Sequence, residues 1–271
     1  MNEIIQSRRV AALQMVSSTC VEENIQRAES LIQQAAQQQV DWVVLPEYWI
    51  LMGKHEYDKI TIAEDFGHGK IQNLLSSWAK QYNITLFSGS LPLRSENPHR
   101  VWNTQLTFAP NGACISRYDK VHLFSFSGVG ETYQELDTIM AGNQPVSLVH
   151  QHWKIAQGIC YDLRFPEFFR LQTPFDVLIL PAAFTQTTGK AHWHLLLRAR
   201  AVENQAYVIA ATQGGQHENG RTTFGHAMII DPWGDVLSEH KKGEGMAIAT
   251  IDLNRIASVR RHLPALDNRV F

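Results

Sequence analysis

Cys160, Glu47 and Lys120 are the side chains whose type and placement suit them to chemistry. Cys160 ends the apolar stretch 153–159 and is followed by Tyr161-Asp162-Leu163-Arg164-Phe165-Pro166-Glu167. A thiol at a sharp strand-to-helix turn is presented above the sheet edge, near backbone amides, and α/β proteins favour ligand sites at the carboxyl ends of strands. A free cysteine is also commonly a buried small hydrophobe, and the local pattern leaves both readings open. Glu47 follows the apolar stretch that ends Leu45-Pro46. A carboxylate directly after a buried strand is costly unless it is partnered, functional or turned out to solvent. Lys120 lies just after a hairpin strand, in Tyr118-Asp119-Lys120-Val121-His122. By position alone it reads as a solvent-facing lysine.

Other motifs are missing. The chain has no GxGxxG, no GxSxG and no Walker loop. The pairs His150/His152 and His192/His194 have a spacing that separates them on a helix, and no HExxH supports a metal. No metal is expected.

Alternating elements must position these groups. Residues 10–15 and 41–46 read as strands, with a helix to Gln39 between them whose apolar residues recur at helical spacing. Thr19-Cys20-Val21-Glu22 fits a capping box. A helix over 71–82, a strand over 85–90 and a hairpin (104–109 with 114–118) around Pro110-Asn111-Gly112 follow. The second half repeats the order: strand 155–160, short helix 164–171, strand 176–181. An offset of 135 separates Pro46 from Pro181; further on the offset settles at 122, matching Pro110-Asn111-Gly112 to Pro232-Trp233-Gly234. The same repeat places Ala182 opposite Glu47 and Lys242 opposite Lys120. The fold does not require a carboxylate at 47. Two such units predict two mixed sheets packed face to face with helices outside, a four-layer α-β-β-α sandwich of two pseudo-repeated halves, in one domain over 1–271.

Composition narrows the class. The chain has 271 residues, of which 18% are charged, below the usual ~25%, and a net charge of -2. This predicts a large core and no long-range attraction to nucleic acid or an anionic membrane. The cysteines at 20, 114 and 160 form no CxxC, so neither a disulfide scaffold nor a zinc site is expected, and a reducing cytoplasmic setting fits. The first ten residues are charged, with no apolar leader segment.

Three stretches, taken together and in order, resemble the nitrilase superfamily of carbon–nitrogen hydrolases: Leu45-Pro46-Glu47, Tyr118-Asp119-Lys120-Val121-His122-Leu123, and Gly158-Ile159-Cys160-Tyr161-Asp162. The resemblance covers nearly the whole chain. It implies a Glu47–Lys120–Cys160 triad and a second glutamate, Glu135, and it implies the same sandwich fold. Cys160-Tyr161-Asp162-Leu163-Arg164-Phe165-Pro166-Glu167, His192-Trp193 with Arg198-Ala199-Arg200-Ala201, and Gly225-His226 are similar to small amidases of α-keto acid amides. The tail Arg260-Arg261-His262-Leu263-Pro264 is most similar to the deaminated-glutathione amidase branch, with the sister ω-amidase branch sharing much of the rest. The 125–130 loop departs from the pattern, lacking the acidic residue that related amidases carry after the equivalent of Phe124.

The chemistry implied is amide hydrolysis with no cofactor, giving a carboxylic acid and ammonia. Glu47 would take the thiol proton, and the Lys120 ammonium and Tyr161 N–H would hold the oxyanion. Glu135 would fix Lys120 or orient the substrate. An acidic keto-amide needs a cation. Arg164 is the candidate, and pairing with Glu167 or Asp162 is its alternative. Tyr48, Phe124 and Phe184 are the candidate apolar walls. A homodimer or larger assembly is expected. A non-catalytic binding protein with the same fold is the alternative from a different class.

Overall fold

The computed structural model describes residues 6–128 and 131–270. The opening residues 1–5 and positions 129–130 of the 125–130 loop lie outside the described residues. Two mixed sheets form the centre. In the first, Ser7–Met15 pairs with Gly245–Asp252 antiparallel and with Trp42–Val44 parallel; Thr85–Phe87 and then Val101–Phe108 follow. In the second, Trp153–Gln157, Val177–Ala182 and Tyr207–Gln213 run parallel, and Ala227–Ile230 and Val236–His240 extend the sheet antiparallel. The two are not separate. Gln14 pairs with Thr212 and Met15 with Gln213, so they join at one corner as a single 14-stranded sheet.

Strand alternation builds the layers. In Trp42–Val44, Trp42 and Val44 point to the second sheet, where they meet Val177, Ile179, Ile155 and Ile209 in a core between the sheets. Trp42 and Trp153 meet edge to face across it, with centroids 5.5 Å apart. Val43 and Leu45 point the other way, against the helices Val21–Gln37 and Lys70–Gln81. Leu178 and Leu180 do the same for the second sheet, against Phe168, Trp193 and Leu197. Period-two alternation therefore makes three apolar cores, one per layer boundary. The expected α-β-β-α sandwich is present, and the repeat is geometric. Gly112 N–H donates to Ala109 at 2.8 Å and Gly234 N–H to Asp231 at 2.9 Å, both glycines with φ near +90°. Both hairpins turn in the same way at the 122-residue offset.

Several boundaries differ from expectation. The first helix starts at Val21 with Cys20 as its N-cap and no side-chain cap; the Thr19 hydroxyl instead donates to Glu218 at 2.8 Å, a partner no local pattern reveals. The strand expected over 155–160 stops at Gln157, and Cys160–Arg164 forms a 3-10 turn. The helix expected from Arg164 begins at Pro166, because the residue before a proline is driven out of the helical region. The 125–130 loop begins as a strand, Ser125–Gly128, paired in a hairpin with Glu131–Gln134.

Candidate active site

Each strand end delivers one group. After Trp42–Val44 the chain passes Pro46 to Glu47, whose carbonyl accepts from the buried Gln213 amide at 3.1 Å. Gly89, at φ +63°, lets the next loop press against Pro46; a Cβ there would stand 2.1 Å from the Pro46 carbonyl oxygen. Lys120 follows Cys114–Asp119 and is tied at both ends, its N–H to Asn103 and its carbonyl to the Gly142 N–H. Cys160 opens the 3-10 turn at φ +49°, a left-handed conformation unusual for a residue with a Cβ.

The fold brings the four expected residues together. Lys120 is completely buried and its Nζ donates to Glu47 Oε1 at 2.9 Å and to both Glu135 oxygens at 2.9 and 2.8 Å. Its repeat counterpart Lys242 is exposed, so burial of Lys120 is specific to this site. Glu47 also accepts from Asn103 Nδ2 at 3.0 Å and bonds the Cys160 thiol. Glu135 begins a short 3-10 turn directly after the 125–134 hairpin and accepts from the Phe124 N–H and the Tyr48 hydroxyl, each at 2.7 Å. Tyr48, expected as an apolar wall, therefore presents its hydroxyl to this glutamate.

Electrostatics divides the carboxylates. Burial raises the Glu47 carboxyl above its ordinary range, and Lys120 offsets this only in part. Burial would raise Glu135 too, but Lys120, the Phe124 amide and Tyr48 outweigh it and hold the carboxyl low. Burial would lower Lys120, yet Glu135 and Glu47 keep it well above the usual lysine value. Burial and the Glu47 charge push the Cys160 thiol well above its ordinary value, with Lys120 and the Ala183 N–H pulling the other way. The set is a neutral thiol beside a carboxylate of raised proton affinity and a permanent cation, which is what base-assisted thiol attack on a polarised carbonyl requires.

Asp162 was read from sequence only as a possible partner of Arg164. It is fully buried and accepts from Ile159 N–H (2.8 Å), Tyr118 hydroxyl (2.6 Å), and the N–H and Nδ1 of His122 (3.0 and 2.7 Å). It thus ties the Cys160 turn to the segment carrying Lys120. Arg164 pairs with neither Asp162 nor Glu167. The break before Pro166 separates Arg164 from the following helix, and its guanidinium lies near the rings of Phe184 and Tyr161 and against His192. Phe124, Tyr161, Arg164 and Phe184 line one recess at Cys160, while Tyr48, Glu135 and Arg221 line another. Among the histidines, His194 and His226 both bond Glu239 Oε1, at 2.7 and 2.6 Å. That donor set suits a metal and is invisible to sequence spacing, and it lines neither recess at Cys160.

The carbon–nitrogen hydrolase family matches residues 9–261. The chain belongs to that family. It is 42% identical to the deaminated glutathione amidase of Synechocystis over 96% of this chain and 97% of that one. It is 35% identical to the omega-amidase NIT2 of Mus musculus over 96% and 94%. Nit3 of Saccharomyces cerevisiae, a member of branch 10 of the nitrilase superfamily, superposes with a TM-score of 0.88 at 31% identity, covering 98% of this chain and 97% of that one. As a member of this family the chain is an amidase, a hydrolase of carbon–nitrogen bonds other than peptide bonds. Among the described residues no helix is long and apolar enough to cross a membrane.

Proposed function

We propose that the chain is a thiol-dependent amidase that hydrolyses a small acidic keto-amide, deaminated glutathione, by way of Cys160, Glu47, Lys120 and Glu135. The observation that carries this is the buried Lys120 ammonium, held by two glutamates beside a thiol at the mouth of a cleft. Glu47 takes the Cys160 proton as sulfur attacks the amide carbon. The oxyanion is held by Lys120 and by the Tyr161 N–H, which lies in the first turn of its 3-10 helix, where amides lack intrahelical partners. Glu47 then protonates the departing nitrogen and activates the water that opens the thioester. Arg164, without an acidic partner among the described residues, receives the carboxylate at the keto-acid end, between the Phe184 and Tyr161 rings.

With a primary amide the nitrogen leaves as ammonia. With deaminated glutathione it leaves as cysteinylglycine, so the common product, 2-oxoglutarate, is the quantity to follow. Purified protein given deaminated glutathione, α-ketoglutaramate and a simple nitrile is expected to show the highest kcat/KM on the first. A preference for α-ketoglutaramate replaces this reading with the ω-amidase one, and turnover of nitriles alone rejects both.

We infer one domain over 1–271, because residues of both halves share the inter-sheet core and the site. Unpaired Cys20 and Cys114 on the surface suit a reducing cytoplasm. We also propose a homodimer through the face carrying Leu195, Val202, Trp233, Val236 and Leu237, apolar side chains left exposed side by side on the helix Gln186–Asn204 and the adjoining hairpin. Leu195→Glu is expected to halve the mass measured by light scattering; a wild-type monomer, or an unchanged dimer in the variant, rejects this face.

A further inference from the structure

The cleft has two lobes that meet at Cys160. The larger encloses about 570 Å³ open to solvent and is bounded by Glu47, Tyr133 and Arg221 among others. The smaller, about 220 Å³, is bounded by Tyr161, Arg164 and Phe184. Glu47 lines the larger lobe and not the smaller. In the reaction proposed above Glu47 hands its proton to the departing nitrogen. That nitrogen must face the larger lobe, and the acyl chain runs into the smaller one.

Arg221 therefore stands on the leaving-group side, and it is held there. Its Nη2 donates to Glu56 Oε1 at 2.8 Å, and its guanidinium lies 4.7 Å from the centre of the Tyr133 ring. Glu56 is shared with Lys59, whose Nζ reaches Oε2 at 2.7 Å. Two cations on one carboxylate leave the trio with net positive charge, and Arg221 keeps 30% of its side chain open to solvent. Its Nη1 meets only the Met52 sulfur, a weak acceptor, at 4.0 Å, and a fixed guanidinium with donor capacity left at the wall of a cleft is a carboxylate receptor.

We propose that Arg221 forms a second carboxylate subsite, which binds the carboxylate of an amino-acid or short-peptide leaving group. This rests on the keto-amide reading above and sharpens it: the chain selects amides that are anionic at both ends, with Arg164 at the acyl end and Arg221 at the amine end.

The test compares deaminated glutathione with its analogue whose C-terminal carboxylate is a primary amide, following 2-oxoglutarate release by the full chain. Wild type is expected to favour the free carboxylate by about tenfold or more in kcat/KM, mostly through KM, as for a charge-assisted hydrogen bond. In Arg221→Met that ratio is expected to fall close to one. If the methionine variant fails to fold, Arg221→Lys reads the same ratio, expected between the wild-type value and one. A wild-type ratio near one, or a variant ratio equal to wild type, overturns the subsite and leaves the amidase reading standing. Turnover of neither compound by wild type overturns both.

Discussion

Cys160→Ala loses keto-amide hydrolysis by a factor of about 10⁴ or more, and it stays folded. Among the described residues that line the cleft, Cys160 is the one thiol, and it is the group that Glu47 bonds. Glu47 is committed to Lys120 and Asn103, and Lys120 is a cation enclosed by carboxylates. The structural cost is small, about 1 kcal/mol, because alanine fills most of the buried volume and inherits the same left-handed backbone that cysteine already tolerates. 2-Oxoglutarate release and thermal unfolding, measured on one preparation, separate the two effects. Hydrolysis at the wild-type rate in the alanine variant would falsify the thiol mechanism. A folded wild type that binds keto-amides without turning them over would return the chain to the class of non-catalytic binding proteins.

Lys120→Met is expected to lose both activity and stability. The substitution keeps an unbranched side chain, one heavy atom shorter, and removes the charge. Glu47 and Glu135, each within 3 Å of the lost ammonium, are left buried without a cation. Breaking a buried pair from one side costs about 3–5 kcal/mol. The pH dependence gives a second reading. In the wild type Lys120 helps hold Glu135 low, so this glutamate contributes stability that is present above the unfolded carboxylate range and lost as pH falls through its folded value. In the variant burial dominates and both carboxyls are raised. Glu47 is already raised in the wild type and only moves further, whereas Glu135 changes from lowered to raised; its contribution is then present below about pH 4 and lost as pH rises, so for Glu135 the sign inverts. Urea unfolding at neutral and acidic pH should show the deficit largest near neutrality and shrinking toward pH 4. A variant as stable as wild type at pH 7 would mean that the glutamates are not held by this lysine.

The strand ends carrying Glu47 and Cys160 were legible from apolar runs that stop at a polar residue, and the sandwich from a repeat that recurs in the hairpin geometry. Lys120 was not separable from Lys242 by position, since its burial comes from Glu47 and Glu135, both distant in sequence. Glu135 follows an exposed polar hairpin with no periodic signal, and only the family resemblance pointed to it. Asp162 and Arg221 were missed for a common reason. Beyond the local Ile159 N–H on Asp162, the partners that matter lie 40 and 165 residues away, at His122 and Glu56, and no local pattern records such pairings. Of the alternatives raised for Arg164, Glu167 failed on a local signal present in the sequence, Pro166, which breaks the helix between them, and Asp162 failed because Ile159, Tyr118 and His122 occupy it.

The pairing of Gly245–Asp252 with Ser7–Met15, from Asp252 opposite Ser7 to Gly245 opposite Gln14, sets an order of assembly. Ser7–Met15 is a central strand, and its antiparallel neighbour Gly245–Asp252 lies more than 200 residues further along the chain. A nascent chain therefore carries Val10 to Leu13 with one edge unpaired until Met246 to Ala249 have left the ribosome. Closing the first sheet becomes a late event of long sequence separation, so a chain cut before Gly245 retains a sticky apolar edge that Gly245–Asp252 otherwise covers.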